Sequence, residues 1–144
     1  MKKVFLPFLL LVSAVVFISC ETKKKVENRA GVVITFDDAF VDEWFDANQA
    51  LKKYHWKATF NVCRIDSIGT PQIQKLHQLQ NEGHEIAGHG YHHYNAVKFT
   101  AANGIDEYLN KEINPMIASK KRKGFTMTSF AYPYGGIHLC RLQL

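Results

Sequence analysis

Carboxylate and imidazole side chains are concentrated in two short segments of this chain. Asp37 and Asp38 are adjacent and directly follow an apolar run. Four of the seven histidines fall within residues 84–93, and two of these, His89 and His93, are four positions apart. This spacing places two imidazoles on one side of a helical turn or a tight loop. Two histidines with one aspartate form a three-ligand set that leaves positions open for water, as in catalytic rather than structural zinc sites.

Each feature alone also has a simpler interpretation. An adjacent pair such as Asp37 and Asp38 is common in turns and caps, and a single His-x-x-x-His spacing is weak evidence for a metal. Neighbouring carboxylates at the end of a strand project in different directions, so one can bind a metal while the other handles a proton. The presence of both features in one chain favours a divalent metal site. We expect zinc, although these ligand types do not distinguish it from cobalt.

Apolar runs and helical periodicity predict the elements that carry these groups. From Gly31 onward strands and helices alternate, with strands at 31–36, 58–62, 84–88 and 129–132 and helices at 42–54, 70–82 and 105–119. The order βαβαβαβ predicts an α/β fold with a mainly parallel sheet. Asp37, His89 and Tyr134 then follow three different strand ends. Active-site groups collect at the carboxyl ends of parallel strands, so this topology predicts that the three residues meet.

Local signals mark the helix ends. Thr70 and Pro71 are typical of an N-cap followed by the first helical position, and Gly83 ends that helix. Pro115 interrupts the last helical pattern, so we expect it to kink that helix or end it early.

Three motifs carry a resemblance to a known family. They are the segments 35–40 (TFDDAF), 83–93 (GHEIAGHGYHH) and 130–135 (FAYPYG). In order and separation they resemble the motifs of the polysaccharide deacetylases of the NodB-homology type, carbohydrate esterase family 4. The resemblance spans about residues 31–136. It implies an α/β fold that forms the N-terminal part of a distorted (β/α) barrel.

The resemblance also implies an activity, a metal-dependent hydrolysis that removes acetyl groups from N-acetylated sugars. Carried over position by position, it implies that Asp38, His89 and His93 bind the metal. Asp37 would be the general base, and Pro133 and Tyr134 would shape the substrate side of the site. The backbone N–H of Tyr134 would help to hold the oxyanion. Such a metal acidifies water and polarises the acyl carbonyl, while the base takes a proton.

Two departures from the family pattern affect these expectations. The third motif of the family usually begins with an arginine that pairs with the catalytic aspartate, and here Ala131 occupies that position. The family's fourth and fifth motifs lie beyond the third, whereas this chain ends at Leu144 and the setting of His138 does not match the fifth. Closed barrels of this kind need about eight strands and ~250 residues. We therefore expect residues 31–144 to be a partial domain, truncated or frameshifted from a longer enzyme.

The favoured function is removal of N-acetyl or O-acetyl groups from a cell-envelope or extracellular polysaccharide that contains N-acetylglucosamine. Peptidoglycan, a chitin-like chain and an exopolysaccharide all fit. One alternative is a truncated, non-catalytic envelope lipoprotein that retains a metal- or glycan-binding site. Another is a different metal-assisted hydrolase that acts on some other amide or ester.

The first 30 residues are typical of a targeting segment. Lys2 and Lys3 precede an uncharged, mostly apolar run at 4–19, shorter than the ~20 residues of a membrane-spanning helix. The run ends at Cys20 in a sequence that resembles a bacterial lipobox. We expect residues 1–19 to be a lipoprotein signal peptide and 20–30 to be a lipidated cysteine with a polar tether. The protein would then be anchored in the cell envelope, with plain secretion or an uncleaved anchor as alternatives.

Composition and charge exclude several other classes of protein. With 47% hydrophobic and 22% charged residues, the chain has the composition of one globular domain rather than of a disordered polymer. The net charge of +5 is small, and the basic runs at 23–25 and 120–123 lack interleaved aromatic residues. We expect both runs to be solvated and no nucleic acid to bind.

Cys63 is expected to be a small buried side chain, and a disulfide between Cys63 and Cys140 is the alternative.

Overall fold

The computed structural model describes residues 31–135. The main elements are β1 (Thr35–Asp38), α1 (Val41–Leu51), β2 (Thr59–Val62), α2 (Thr70–Asn81), β3 (Glu85–Gly88), α3 (Ala96–Asn103), α4 (Ile105–Tyr108) and α5 (Asn114–Arg122). A π-helical turn at Leu109–Ile113 joins α4 to α5, and short 3-10 turns occur at Lys52–Tyr54, Ile65–Ser67 and Pro133–Gly135. No helix between residues 31 and 135 is long and apolar enough to cross a membrane. The predicted signal peptide, Cys20, the tether, His138 and Cys140 lie outside the described residues.

The three strands form a parallel sheet in the order β1-β2-β3. The predicted fourth strand at 129–132 is wrong, since this segment makes only one parallel bridge, between Gly88 and Phe130. Two hydrogen bonds hold it there, from Gly88 N to the Ser129 carbonyl (3.0 Å) and from Ala131 N to the Gly88 carbonyl (2.9 Å). The pairing ends because Pro133 has no N–H to continue it and the chain turns at that residue.

The first strand is displaced from its predicted position. Pairing begins at Thr35 and includes both aspartates, whereas Val32 and Val33 are each 87% exposed and outside the sheet. The prediction followed β-branched composition, but strand limits are set by hydrogen bonding to the neighbouring strand. As a result the two carboxylates end β1 itself rather than following it.

Alternation along the strands separates the two faces of the sheet. Phe36, Phe60 and Ile86 are register partners on one face, and Asp37, Asn61 and Ala87 on the other. The apolar face packs against α1 and α2, forming the core of Val41, Trp44, Ala58, Phe60, Val62, Ile65, Leu76, Leu79, Ile86 and Phe125. Asp37 and Asn61 therefore lie on the face opposite the apolar core, whereas Asp38 is the last residue of β1.

The last long helix does not end at Pro115. Helical structure continues from Ile105 to Arg122 through the π-helical turn just before the proline. Proline lacks an N–H and its ring collides with the carbonyl four residues earlier, so the wider turn accommodates it without ending the helix.

Sequence reasoning also missed α3, whose N-cap is Asn95, with its side chain accepting from Lys98 N at 2.9 Å. The predicted N-cap at Thr70 is off by one residue, because Gly69 occupies that position.

One residue of the basic run at 120–123 is not solvated. Lys120 is fully buried, and its ammonium donates to the Ala87 carbonyl at 2.5 Å. Burial lowers the pKa of Lys120 to about 8. Cys63 is buried, as its apolar setting predicts, and forms no disulfide within residues 31–135; burial raises the pKa of its thiol.

Candidate metal centre

The carboxyl end of β1 places Asp38 at the site in an unusual backbone conformation. Its φ is +89°, a region that residues other than glycine rarely adopt and that is concentrated at functional sites. The carbonyl of Asp38 accepts from Cys63 N at 2.9 Å, which fixes the end of β1 against the residue that follows β2.

Asp38 meets the two predicted histidines. Its Oδ1 lies 3.0 Å from Nε2 of His93 and 3.7 Å from Nε2 of His89, and the two Nε2 atoms are 3.2 Å apart. The candidate ligand atoms of all three residues lie within 4.8 Å of one another. The structure therefore brings together the three residues that the sequence predicts as metal ligands.

The surroundings of the histidines favour ligand-competent imidazoles. His89 is buried, and its Nδ1–H donates to the Ala131 carbonyl at 2.9 Å, so its Nε2 faces Asp38 and His93 as an acceptor. Burial lowers the pKa of His93, and neighbouring His89 lowers it further, whereas Asp38 opposes both. A neutral imidazole is the form that binds a metal. The carboxylate of Asp38 and the two imidazoles supply three converging electron-pair donors, a set that fits a divalent cation.

Asp37 lies beside this set with different partners. It is exposed, and its Oδ1 accepts a hydrogen bond from Nδ2 of Asn61 at 2.8 Å. Asn61 is buried and is the register partner of Asp37 on β2. Sequence reasoning assigned no role to Asn61, although one amide within the otherwise apolar end of β2 was an available signal. Asn61 is the side chain that orients Asp37, whereas Ala131 contributes its backbone carbonyl to His89.

The turn at 133–135 closes one side of the site. Tyr134 adopts a left-handed conformation with φ +64°, and its ring centre lies 4.8 Å from that of His93. Pro133 is buried, while Tyr134 is 69% exposed. Tyr134 is thus positioned to contact a molecule that reaches the metal ligands.

A polar cleft of about 390 Å³ adjoins the histidine loop. Its lining consists of Arg64, Asp66, Ser67, Tyr91, His92 and Tyr94. The cleft combines a cation, a carboxylate and aromatic rings, and one of its walls is His92, next to His93.

Comparison with known proteins agrees with the fold and the motifs. The profile of the family described as Polysaccharide deacetylase matches residues 24–140, most of the chain. The chain belongs to the polysaccharide deacetylase family. The peptidoglycan-N-acetylglucosamine deacetylase of Bacillus cereus is 33% identical over 114 residues, which is 76% of this chain and 38% of that protein.

Solved structures support the fold. Peptidoglycan deacetylase PdaC from Bacillus subtilis has a TM-score of 0.57 at 28% identity, with 77% of this chain and 52% of that one covered. The deacetylase PplD of Streptococcus pyogenes has a TM-score of 0.63 at 21% identity, with 81% and 51% covered. These similarities confirm the predicted α/β fold as part of a NodB-type barrel. The chain spans about half the length of these solved chains and less of the curated relative.

Proposed function

We propose that this protein is a metal-dependent hydrolase that removes N-acetyl or O-acetyl groups from an envelope or extracellular polysaccharide containing N-acetylglucosamine. The observation that carries the proposal is the convergence of Asp38, His89 and His93 beside the exposed carboxylate of Asp37. It occurs in a member of a deacetylase family, and a relative named for peptidoglycan N-acetylglucosamine is one-third identical to this chain.

The residues of the site suit hydrolysis of an amide or ester. Asp38, His89 and His93 would hold a divalent cation, most simply zinc. The bound cation would supply an acidified water and a polarised acyl carbonyl. Asp37, oriented by Asn61, would take a proton from the attacking water. The backbone N–H of Tyr134 would donate to the oxyanion, and transfer of the proton from Asp37 to the sugar nitrogen as the C–N bond breaks would leave acetate and the sugar amine.

The test combines zinc binding with acetate release from N-acetylglucosamine oligomers. We expect zinc-dependent release by the full chain. Asp37→Asn should abolish release while retaining zinc, because the side chain of Asp37 bonds to Asn61 and is not one of the three converging ligands. His89→Ala combined with His93→Ala should abolish both. A chain that is folded and loaded with zinc but releases no acetate would contradict the proposed activity.

A second candidate function is favoured by Ala131, whose methyl side chain cannot pair with the carboxylate of Asp37. In this alternative, the protein is a non-catalytic envelope module that retains the metal- or glycan-binding site. It predicts saturable zinc or glycan binding without turnover, and loss of that binding in the double histidine variant. The same pair of assays therefore distinguishes the two functions.

The envelope location is part of the proposal and rests on the lipobox-like sequence at Cys20. Cells that produce the chain should incorporate labelled fatty acid into it, and Cys20→Ser should abolish the label and release the protein from the membrane fraction. An unlabelled chain in the soluble fraction would contradict the lipid anchor.

A further inference from the structure

The loop that carries the two histidines is held by its backbone. On one side, Arg64 donates from its backbone N to the Gly90 carbonyl (3.2 Å) and from its Nε to the His92 carbonyl (3.4 Å). On the other side, the last long helix accepts two N–H groups of the loop: Gly90 N donates to Sδ of Met116 (3.2 Å), and His92 N donates to Oε1 of Glu112 (2.8 Å). Glu112 is the one charged side chain among the helix partners of this loop within residues 31–135.

Glu112 is an unusual residue to bury. It has no exposed surface, and among the described residues its Oε2 has no hydrogen-bond partner. Burying a carboxyl group with an unsatisfied oxygen is unfavourable, and such exceptions in a folded protein call for an explanation. The hydroxyl of Tyr108, one turn earlier, is likewise buried with no hydrogen-bond partner within residues 31–135. Burial and the negative charge of Glu112 raise the pKa of Tyr108 to about 12.

The π-helical turn places Glu112 under the loop. The buried residues of this helix include Tyr108, Glu112, Met116 and Lys120, each four positions after the last. In a regular α-helix with 3.6 residues per turn, this spacing drifts steadily around the axis. The wider turn at Leu109–Ile113 contains more residues and reduces the drift, so that one face of the helix keeps pointing at the loop.

The loop in turn is shaped to receive Glu112. Gly90 has φ +87°, and a Cβ atom built at this position would overlap Oε2 of Glu112. The carboxyl group thus lies directly against the loop backbone, where only glycine leaves room for it. Three residues later His93 also has a left-handed backbone, with φ +68°, a conformation that persists only when its surroundings enforce it.

From these contacts we infer that Glu112 is a positioning residue for the metal centre. By accepting the N–H of His92, it holds the loop in the conformation that points His93 at Asp38 and His89. Glu112 does not touch the metal ligands, and it acts through the backbone next to His93. The inference rests on the metal-binding part of the proposed function. Two contacts would then position the histidines: the Ala131 carbonyl orients His89, and Glu112 holds the backbone next to His93.

The experiment measures zinc dissociation constants for the full chain by competition with a chromophoric chelator, together with the visible absorption spectrum of the cobalt-loaded protein. Glu112→Leu fills about the same space without an acceptor and should bind zinc about 10- to 100-fold more weakly, the usual effect of losing a residue that supports a metal ligand. Glu112→Gln keeps an acceptor for the His92 N–H and should retain both the affinity and the cobalt spectrum. Tyr108→Phe is the matched control, because it removes a buried, unpartnered group from the same helix face without touching the loop.

The outcomes separate this inference from the proposed function. If the unaltered chain binds no zinc, the proposed function fails. If the unaltered chain binds zinc and Glu112→Leu binds it equally well with the same cobalt spectrum, the positioning role is overturned. Loss of affinity in Glu112→Gln would overturn the hydrogen-bond account. If Glu112→Leu does not fold, Glu112→Asp gives the decision: its shorter side chain withdraws the acceptor while remaining polar, so unchanged zinc binding in this variant would overturn the role.

Discussion

Asp37 and Asp38 are identical and adjacent, but their neighbours give them different chemistry. Asp38 faces two imidazoles from its left-handed position, whereas Asp37 faces solvent and one amide. The alternation of side chains along a strand separates them, and the residues across the sheet then determine what each can do. The role of a carboxylate in this site is therefore decided by its partners on β2 and in the histidine loop.

The contact between Asn61 and Asp37 gives the first prediction. Asn61→Leu removes the amide that orients the proposed base, so acetate release should fall about 10- to 100-fold in kcat/KM. Zinc affinity should not change, because within residues 31–135 the side-chain hydrogen bond of Asn61 goes to Asp37 and not to a metal ligand. Steady-state kinetics with N-acetylglucosamine oligomers and a zinc titration check both expectations.

Asn48→Leu is the matched control for this prediction. Asn48 is equally buried and bonds Glu82, Trp56 and His84 away from the metal ligands. Its loss should reduce stability by about 1–3 kcal/mol without lowering turnover per folded molecule. Full activity in Asn61→Leu would show that Asp37 needs no orienting partner.

His84 gives a prediction for the pH dependence of stability. It is buried, its Nδ1 accepts from Ala58 N at 3.1 Å, and burial lowers its pKa below the ordinary value of 6.5. Below pH 6.5 the unfolded chain therefore binds a proton at this residue that the folded chain resists, so stability falls as the pH decreases. One proton contributes at most about 1.4 kcal/mol per pH unit.

Urea unfolding at pH 7.5 and pH 5.5 measures this effect. The variant His84→Asn keeps an acceptor for Ala58 N but does not titrate, so its loss of stability between the two pH values should be smaller than that of the unaltered chain. An equal loss in both proteins would assign the acid sensitivity to other groups, such as His93.

At the scale of secondary-structure elements, the last residue of β3 packs against the first turn of α5, next to the histidine loop. Gly88 ends β3, and a Cβ built on it would lie 2.5 Å from Sδ of Met127 and 2.8 Å from Sδ of Met116. Gly88→Ala should therefore lower the free energy of unfolding by about 1–3 kcal/mol through overpacking. Thermal and urea unfolding check this value.

A double variant distinguishes overpacking from other effects of the alanine. Met127 is only partly buried, and Met127→Ala makes room at the more crowded of the two contacts. Gly88→Ala combined with Met127→Ala should then be less destabilised than the sum of the single variants. Simple additivity would show that the sulfur of Met127 does not create the strain.

The sequence predicts the elements whose signals are local. The helix over 70–82 is correct within a residue because Pro71 and Gly83 mark its ends, and the metal-ligand candidates were found because histidine and aspartate are scarce at such spacings. Glu112 and the buried Lys120 could not be found in this way, and for Asn61 the local signal marks the residue without identifying its partner. Each is defined by a partner 20 to 33 positions away, namely His92, Ala87 and Asp37. The limits of β1 depend in the same way on pairing with β2.

At the scale of the whole molecule, the described part has a well-packed apolar face and an open strand edge at β1. The apolar face of the sheet is covered by α1 and α2 around Phe60, which contacts Trp44 and Phe36 at ring-centre distances of 5.2 and 5.3 Å. Within the described residues β1 pairs only with β2, so its other edge keeps unpaired backbone groups. Val32, Val33 and Ile34 directly precede β1 in the chain and have exposed apolar side chains. Such edges promote pairing with a second chain.

We therefore predict that the full chain self-associates in solution through the edge of β1. A lysine on an edge opposes such pairing, so Val33→Lys should shift sedimentation or light-scattering profiles towards the monomer. Ile105→Lys is the matched control, because it places the same charge on an exposed apolar residue in α4, away from the edge. It should leave the association unchanged. If both lysines reduce association equally, net charge rather than the strand edge controls it; if neither does, the chains associate through another surface.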